Sequence, residues 1–144
     1  MPMSKQPRAF LLDTHVWIWL INGEKRMERG PLIRRLRESS PVSIRVSVLS
    51  VWEVGMLEAK GRIELPLGCL EWVQRALEAP GLALVPLTTG VAVASSRLPG
   101  VFHGDPIDRI LVATARELDV TLVTQDSKIL AYSKEHRLPA IAAF

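Results

Sequence analysis

Cysteine is nearly absent from this chain of 144 residues, which contains only Cys69. One cysteine cannot form an internal disulfide, so the sequence excludes a disulfide-stabilised scaffold and requires no oxidising compartment. No other cysteine and no histidine stands near Cys69 in the sequence. We therefore interpret it as a structural or incidental thiol rather than a metal ligand.

The sequence also lacks a long apolar run. Its uninterrupted apolar stretches fall well short of the ~20 residues that a membrane-spanning helix needs. Residues 1–8 are polar, and Asp13 and His15 interrupt the apolar stretch that follows, so we expect neither a secretory signal nor a membrane segment. We expect a cytoplasmic protein with one domain, residues 1–144, because 48% apolar residues can build a core of their own.

Charge of one sign is only slightly in excess, at +3 for the whole chain. This mild excess permits nucleic-acid binding without requiring it. The basic residues are concentrated in one segment, which contains Lys25, Arg26, Arg29, Arg34, Arg35 and Arg37. Two interpretations remain open for this segment: a solvated helix face, or a surface that contacts phosphates or a partner.

Several familiar catalytic motifs are missing as well. The three histidines, His15, His103 and His136, do not stand at metal-ligand spacing. Ser47 and Ser50 lack the G-x-S-x-G context of a serine hydrolase, and the chain has no glycine-rich phosphate loop. Zinc enzymes, serine hydrolases and P-loop proteins are therefore poorly supported.

What the sequence does contain is a regular alternation of strand and helix patterns. Apolar and β-branched runs predict strands at 9–12, 42–48, 82–86, 120–124 and 138–142. Between them, periodic segments predict helices at 14–21, 31–39, 51–60, 70–79, 88–98, 106–118 and 127–134. This alternation predicts an α/β fold in which helices cover both faces of a parallel sheet.

Aspartate is scarce, and four of the five aspartates stand where an element begins or ends. Asp13 follows the first strand, Asp126 follows the strand at 120–124, and Asp105 and Asp108 open the most periodic helix. Ligands of open parallel sheets bind beyond the carboxyl ends of the strands. We therefore expect Asp13 and Asp126 to point into one crevice.

Each of these acids also has a simpler structural interpretation. Ser50 and Glu53 form the S-x-x-E pattern of a capping box. Asp105 and Asp126 are typical helix caps, whereas Thr14 is a simpler cap than Asp13 for the first helix. Taken together, however, the acids favour a bound cation. Mg²⁺ and Mn²⁺ prefer oxygen ligands, and such an ion offsets the repulsion between carboxylates and activates water for attack on a phosphodiester.

Four segments of the chain resemble, in order, the acidic motifs of PIN domains. They are residues 10–15, 47–54, 105–115 and 122–126, and the resemblance extends from about residue 9 to residue 141. It implies a three-layer α/β/α fold with a central parallel sheet and the cleavage of RNA with Mg²⁺ or Mn²⁺. The size is similar to that of VapC-type toxins, which implies a homodimer and inhibition by a VapB-type antitoxin.

The resemblance also assigns roles by position. Asp13, Glu53 and Asp108 match the three core acids, and Asp126 matches a fourth, more variable one. Asp105 competes with Asp108 for the third role; we prefer Asp108 and expect Asp105 to cap its helix or assist. The residues expected to support the carboxylates through hydrogen bonds are Thr14, Ser50 and Thr124.

Two other functions remain as alternatives. A phosphatase of the haloacid-dehalogenase type would need a second aspartate where the chain has His15. A non-enzymatic α/β module could use the acids only to hold a cation or a partner. The apolar side chains of Trp17, Trp19, Leu20, Trp52 and Leu57 are better explained as core or interface than as a base-stacking platform. They are expected either to be buried in the monomer or to form a dimer face or an antitoxin groove.

Overall fold

The computed structural model describes residues 9–38 and 41–144, and its centre is a sheet of five parallel strands. These strands are β1 (Ala9–Leu12), β2 (Ser43–Ser47), β3 (Leu82–Val85), β4 (Thr121–Val123) and β5 (Ala140–Ile141). Their order is β3-β2-β1-β4-β5, and every neighbouring pair is parallel. The chain therefore builds the sheet outwards from β1, first on one side and then on the other, so the topological switch point lies between β1 and β4.

Helices connect the strands in the predicted α/β alternation. The described part of the chain contains α1 (Thr14–Ile21), α2 (Pro31–Arg37), α3 (Val48–Ala59), α4 (Cys69–Leu77), α5 (Thr89–Ser95), α6 (Pro106–Leu118) and α7 (Ser127–His136). A 3-10 helix, Lys25–Arg29, precedes α2 and has no counterpart in the sequence-based assignment. The basic segment is therefore divided between a 3-10 helix and α2. The last predicted residue of α2, Ser39, lies outside the described residues.

Side chains on opposite faces of β1 belong to two separate apolar clusters. Phe10 and Leu12 pack with side chains from α1 to α4, whereas Leu11 packs with side chains from α5 to α7. Successive residues of a strand point to opposite faces, so β1 anchors one helical layer on each side of the sheet. The structure thus confirms the three-layer α/β/α architecture with a central parallel sheet.

The five apolar side chains that the sequence predicts to lie in the core or at an interface differ in their exposure to solvent. Trp17 and Leu57 are buried, and the indole of Trp17 packs edge-on against that of Trp72 at 5.1 Å between ring centroids. Trp19 and Leu20 are half-buried, and Trp52 is 59% exposed. Complete burial is therefore wrong for this set, because α1 and α3 each present part of it to solvent. None of the described helices is both long and apolar enough to cross a membrane.

Candidate active site

Asp13 lies at the carboxyl end of β1, and its carboxylate accepts two hydrogen bonds. Its Oδ1 accepts from the backbone N–H of Thr14 at 2.7 Å, and its Oδ2 accepts from the hydroxyl of Thr124 at 2.7 Å. Asp13 is the N-cap residue of α1, so the expectation that Thr14 caps this helix is wrong. Thr14 is instead the first residue of the helix, is fully buried, and donates its hydroxyl hydrogen to the hydroxyl of Ser50 at 2.9 Å.

Glu53 is not part of a capping box, contrary to the sequence-based interpretation. Helix α3 begins at Val48, directly after β2, because the hydroxyl of Ser47 accepts from the N–H of Leu49 and caps the helix there. Ser50 is therefore a buried residue inside the helix, and Glu53 stands in its second turn with no capping task. The hydroxyl of Thr14 lies within hydrogen-bonding reach of both Ser50 and Glu53, but it has one hydrogen and can donate to only one of them at a time.

Asp105 and Asp108 open α6 with different roles. Asp105 is the N-cap residue, and its Oδ1 accepts from the N–H of Asp108 at 2.9 Å, as expected for an N-cap aspartate. Asp108 stands in the first turn and caps nothing in this helix. Arg109, which the sequence analysis did not single out, donates to the carbonyls of Ser95 at 2.8 Å and Phe102 at 2.6 Å. It thereby ties the connection between α5 and α6 to the helix that carries Asp108.

Asp126 follows β4 and caps α7. Its Oδ1 accepts from the N–H groups of Lys128 at 2.8 Å and Ile129 at 3.1 Å. Its own N–H donates to the hydroxyl of Thr124 at 3.0 Å, and that hydroxyl in turn donates to Asp13. Thr124 thus links the ends of β1 and β4, which are neighbours in the sheet.

The acids of all these elements line a single cleft of about 260 Å³ at the switch point of the sheet. Its lining contains Asp13, Glu53, Asp105, Asp108 and Asp126, together with His15, Val16, Trp19 and Gln125. The structure therefore brings together the three predicted core acids, the fourth acid Asp126, and Asp105. Thr14, Ser50 and Thr124 lie behind the carboxylates as buried hydroxyls. Val16, Trp19 and Gln125 also line the cleft and were not predicted to do so. Their positions in the sequence carried a signal, since Trp19 stands one helical turn after His15 and Gln125 precedes Asp126.

The crowding of acids changes their proton affinity. Burial, and then the charges of Asp105, Asp13, Asp126 and Glu53, raise the pKa of Asp108 to about 7. Burial also raises the pKa values of Asp13 and Glu53 above their ordinary range. For Asp13, the hydrogen bonds from Thr124 and Thr14 oppose this effect. The cleft therefore favours a bound proton or a cation over a set of bare carboxylates.

The donor set fits a hydrated divalent cation better than a fully dehydrated one. Within residues 9–38 and 41–144, no group of three His, Cys, Asp or Glu side chains is arranged to hold a metal ion directly. The cleft nevertheless offers carboxylate oxygens from several elements around one space. Mg²⁺ typically keeps several waters and uses one or two protein carboxylates, so an open acidic cleft is compatible with it.

Comparisons with known proteins find relatives in sequence and in fold. Residues 10–135 match the model of the PIN domain family. Over 131 residues the chain is 34% identical to ribonuclease VapC22 from Mycobacterium tuberculosis, and the match covers 90% of this chain and 92% of that protein.

Solved structures share the fold at lower sequence identity. VapBC2 from Rickettsia felis, bound to a promoter DNA fragment, superposes with a TM-score of 0.65 at 14% identity, covering 93% of this chain and 98% of that one. VapBC-1 from nontypeable Haemophilus influenzae gives 0.65 at 11% identity, covering 94% and 98%. The family match over most of the chain, together with 34% identity over nine tenths of it, establishes that this chain belongs to the PIN domain family.

Proposed function

We propose that this chain is a divalent-metal-dependent endoribonuclease. The observation that carries the proposal is the convergence of Asp13, Glu53, Asp108 and Asp126 on one cleft, where their charges act on one another. The name of the 34% identical relative, ribonuclease VapC22, supports RNA as the substrate. PIN-domain ribonucleases generally depend on a divalent metal, and we propose Mg²⁺ or Mn²⁺.

The chemistry of the cleft supports this proposal. A hydrated cation would be held by Asp13, Glu53 and Asp108, with Asp126 assisting, and water molecules would complete its contacts with these carboxylates. When bound, such an ion lowers the pKa of a water molecule and stabilises the charge that develops on the phosphate oxygens. Without a cation, the five acids would repel a polyanionic substrate. Asp105, whose carboxylate caps α6, would hold Asp108 in place rather than bind the ion.

The simplest test is cleavage of a circular RNA, which only an endonuclease can open. We expect the purified protein to open the circle with Mn²⁺ or Mg²⁺ and to leave it intact with EDTA. Cleavage that persists in EDTA would contradict the metal-dependent mechanism. An intact circle under all conditions would favour the second candidate, a cation- or partner-binding module, which the open acidic cleft also fits. The phosphatase alternative has less support, because His15 stands where a second aspartate is needed.

Thr124 provides a test of how the carboxylates are held. Thr124→Val should lower kcat/KM for RNA about tenfold, as is typical when a group that orients a metal ligand is lost. The reason is that its hydroxyl joins Asp13 and the backbone of Asp126. Stability should fall by about 1 kcal/mol, because a buried hydrogen-bonded pair is broken. Thr124→Ser keeps the hydroxyl and should restore both values; a serine variant as impaired as the valine variant would contradict this role.

We further propose that the chain is a cytoplasmic toxin of one domain, residues 1–144, that forms a homodimer and is inhibited by a VapB-type antitoxin. Several solved neighbours are named as toxin–antitoxin or VapBC complexes, which supports this assignment. The chain also has apolar side chains available for a partner. Trp52 of α3 is 59% exposed and Leu70 of α4 is 70% exposed, and these two helices contact each other.

Dimerisation can be measured on the chain alone. We expect analytical ultracentrifugation at micromolar concentration to give twice the mass of one chain. A monomer under these conditions would contradict the homodimer. Trp52→Glu then identifies the surface, since it dissociates a dimer that uses Trp52 and leaves any other dimer intact. If the dimer persists in this variant, the exposed side chains of α3 and α4 are left for the antitoxin.

A further inference from the structure

We propose that the rings of His15, Trp19 and Phe144, with the guanidinium of Arg26, form a nucleobase-binding ledge beside the acid cleft. On this proposal, a base of single-stranded RNA stacks on the ledge while its phosphodiester lies in the cleft. The inference rests on the proposed function, because it names a subsite for the same substrate. It also reverses the sequence-based interpretation of Trp19 as a purely core or interface residue.

Helix α1 presents the first two rings to the cleft. His15 and Trp19 are four residues apart, so they lie on one face of the helix, and their ring centroids are 6.0 Å apart. Both line the cleft together with Asp13, which directly precedes the helix. His15 is exposed and Trp19 is half-buried, whereas Trp17 on another face of α1 is fully buried. Trp17 therefore lies wholly in the core, whereas Trp19 packs against the edge of that core and also lines the cleft.

Phe144 and Arg26 extend this surface beyond the cleft. The ring of Phe144 lies 5.6 Å from that of Trp19, measured between centroids. The guanidinium carbon of Arg26 lies 5.2 Å from the centroid of Trp19 and 4.9 Å from that of Phe144. Arg26 also contacts Glu24 at 3.4 Å, yet its side chain remains 56% exposed. Three rings and one cation therefore form a continuous surface that is partly open to solvent.

The cleft itself fixes the position of Phe144. Gln125, which precedes Asp126 in the sequence, also lines the cleft. Its Oε1 accepts from the N–H groups of Ala143 at 2.6 Å and Phe144 at 3.3 Å. The segment that carries Phe144 is thus attached to the same loop that carries Asp126. This attachment gives the ring a defined place relative to the carboxylates.

The chemistry of the ledge suits a nucleobase. Every base has a flat face that stacks on aromatic side chains, and arginine adds a cation–π contribution. Lys25 and Arg29 of the same 3-10 helix are exposed, and so is Glu28, so this helix carries a net positive charge. A partner protein could also use exposed rings. RNA is favoured over a partner protein because the ledge is continuous with the acidic cleft, where a bound cation would hold the phosphate next to the stacked base.

Binding to two RNA probes tests the ledge without any cleavage. One probe is a short oligouridine, and the other is a ribose–phosphate chain of the same length without bases, each measured by fluorescence anisotropy with Ca²⁺. Trp19→Leu should weaken oligouridine binding about tenfold, as loss of base stacking does. It should leave binding of the baseless chain nearly unchanged. Arg26→Gln and Phe144→Leu should act in the same direction with smaller effects.

Arg75→Gln is the matched control for Arg26→Gln, because Arg75 is 67% exposed on α4 and does not line the cleft. It should bind both probes as the unmodified protein does. The proposal is overturned if the ledge variants weaken both probes equally or weaken neither; the second result would leave these rings for a protein partner. Should Trp19→Leu fail to fold, the variants of the exposed residues Arg26 and Phe144 decide the test alone. An unmodified protein that binds with this preference but cuts no RNA would overturn the proposed function and not the ledge.

Discussion

Asp13→Asn is expected to remove nearly all RNA cleavage, at least about 100-fold, while the protein stays folded. Asparagine has almost the same shape as aspartate, and its side-chain oxygen can still accept from the N–H of Thr14. The variant lacks the negative charge that a bound cation needs. Because burial raises the pKa of Asp13, loss of this charge should not lower the melting temperature of the metal-free protein.

Asp119→Asn is the matched control for this substitution. Asp119 is the one aspartate that does not line the cleft, and it ends α6 in a left-handed conformation with φ of 54°. Asparagine adopts this conformation readily, so fold and activity should both be kept. Cleavage of circular RNA with Mn²⁺ is again measured. Because both variants are purified in the same way, residual cleavage by Asp13→Asn also reveals any contaminating nuclease. Equal cleavage by Asp13→Asn and the unmodified protein would refute the proposed mechanism.

The parts of the fold with strong local signals could be predicted from the sequence. Helix α6 and strand β1 have the predicted bounds, because each combines a clear apolar pattern with a turn or cap signal. Helix α1 ends where predicted, but Asp13 caps it instead of Thr14. The predicted helix at 88–98, in contrast, ends at Ser95. The hydroxyls of Ser95 and Ser96 bind backbone carbonyls one turn back, and Arg109 takes the carbonyl of Ser95 from fourteen residues away. No local pattern reports such a contact.

For the candidate site, the sequence predicted which acids come together but not which of them cap helices. That acids after β1 and β4 meet follows from parallel strands ending at one edge of the sheet. Which acids serve as caps did not follow, since several residues near each helix start can accept the same N–H groups. The structure decides this through burial. Thr14 is buried and its hydroxyl donates to Ser50, so Asp13 caps α1 with its Oδ1 and also lines the cleft. Ser47 caps α3, which leaves Glu53 in the cleft without a capping role.

The second prediction with a large expected effect distinguishes the roles of Asp105 and Asp108, the two acids at the start of α6. Asp108→Ala should lower Mn²⁺-dependent cleavage by about 100-fold or more, because a carboxylate next to the cation is lost. Asp105→Ala should cost about 0.5–2 kcal/mol of stability, since its carboxylate holds the N–H of Asp108. Its effect on cleavage should be much smaller. The paired measurements are the melting temperature and the rate of circular-RNA cleavage for both variants.

The pH dependence of stability distinguishes them further. Asp108 has a pKa of about 7 in the folded protein and 3.8 as its ordinary value, so the folded state binds its proton more tightly than the unfolded state does. In EDTA, this contribution to stability is fully present below about pH 4 and is lost as the pH rises through about 7. Asp108→Asn removes the charge and should abolish this loss. Above neutral pH it should therefore be more stable than the unmodified protein by about 1 kcal/mol in the free energy of unfolding, after allowance for the partial exposure of this residue, and it should melt at a higher temperature.

Mn²⁺ should reverse that order. In the unmodified protein the cation offsets the repulsion between the carboxylates, so adding it should raise the melting temperature most above neutral pH. Asp108→Asn, which lacks one of these carboxylates, should gain much less, whereas Asp105→Ala should still gain. If instead Asp105→Ala abolishes cleavage and the Mn²⁺ response at unchanged stability, while Asp108→Ala keeps both, the roles of the two residues are reversed. The aspartate at the N-cap would then be the one that faces the metal.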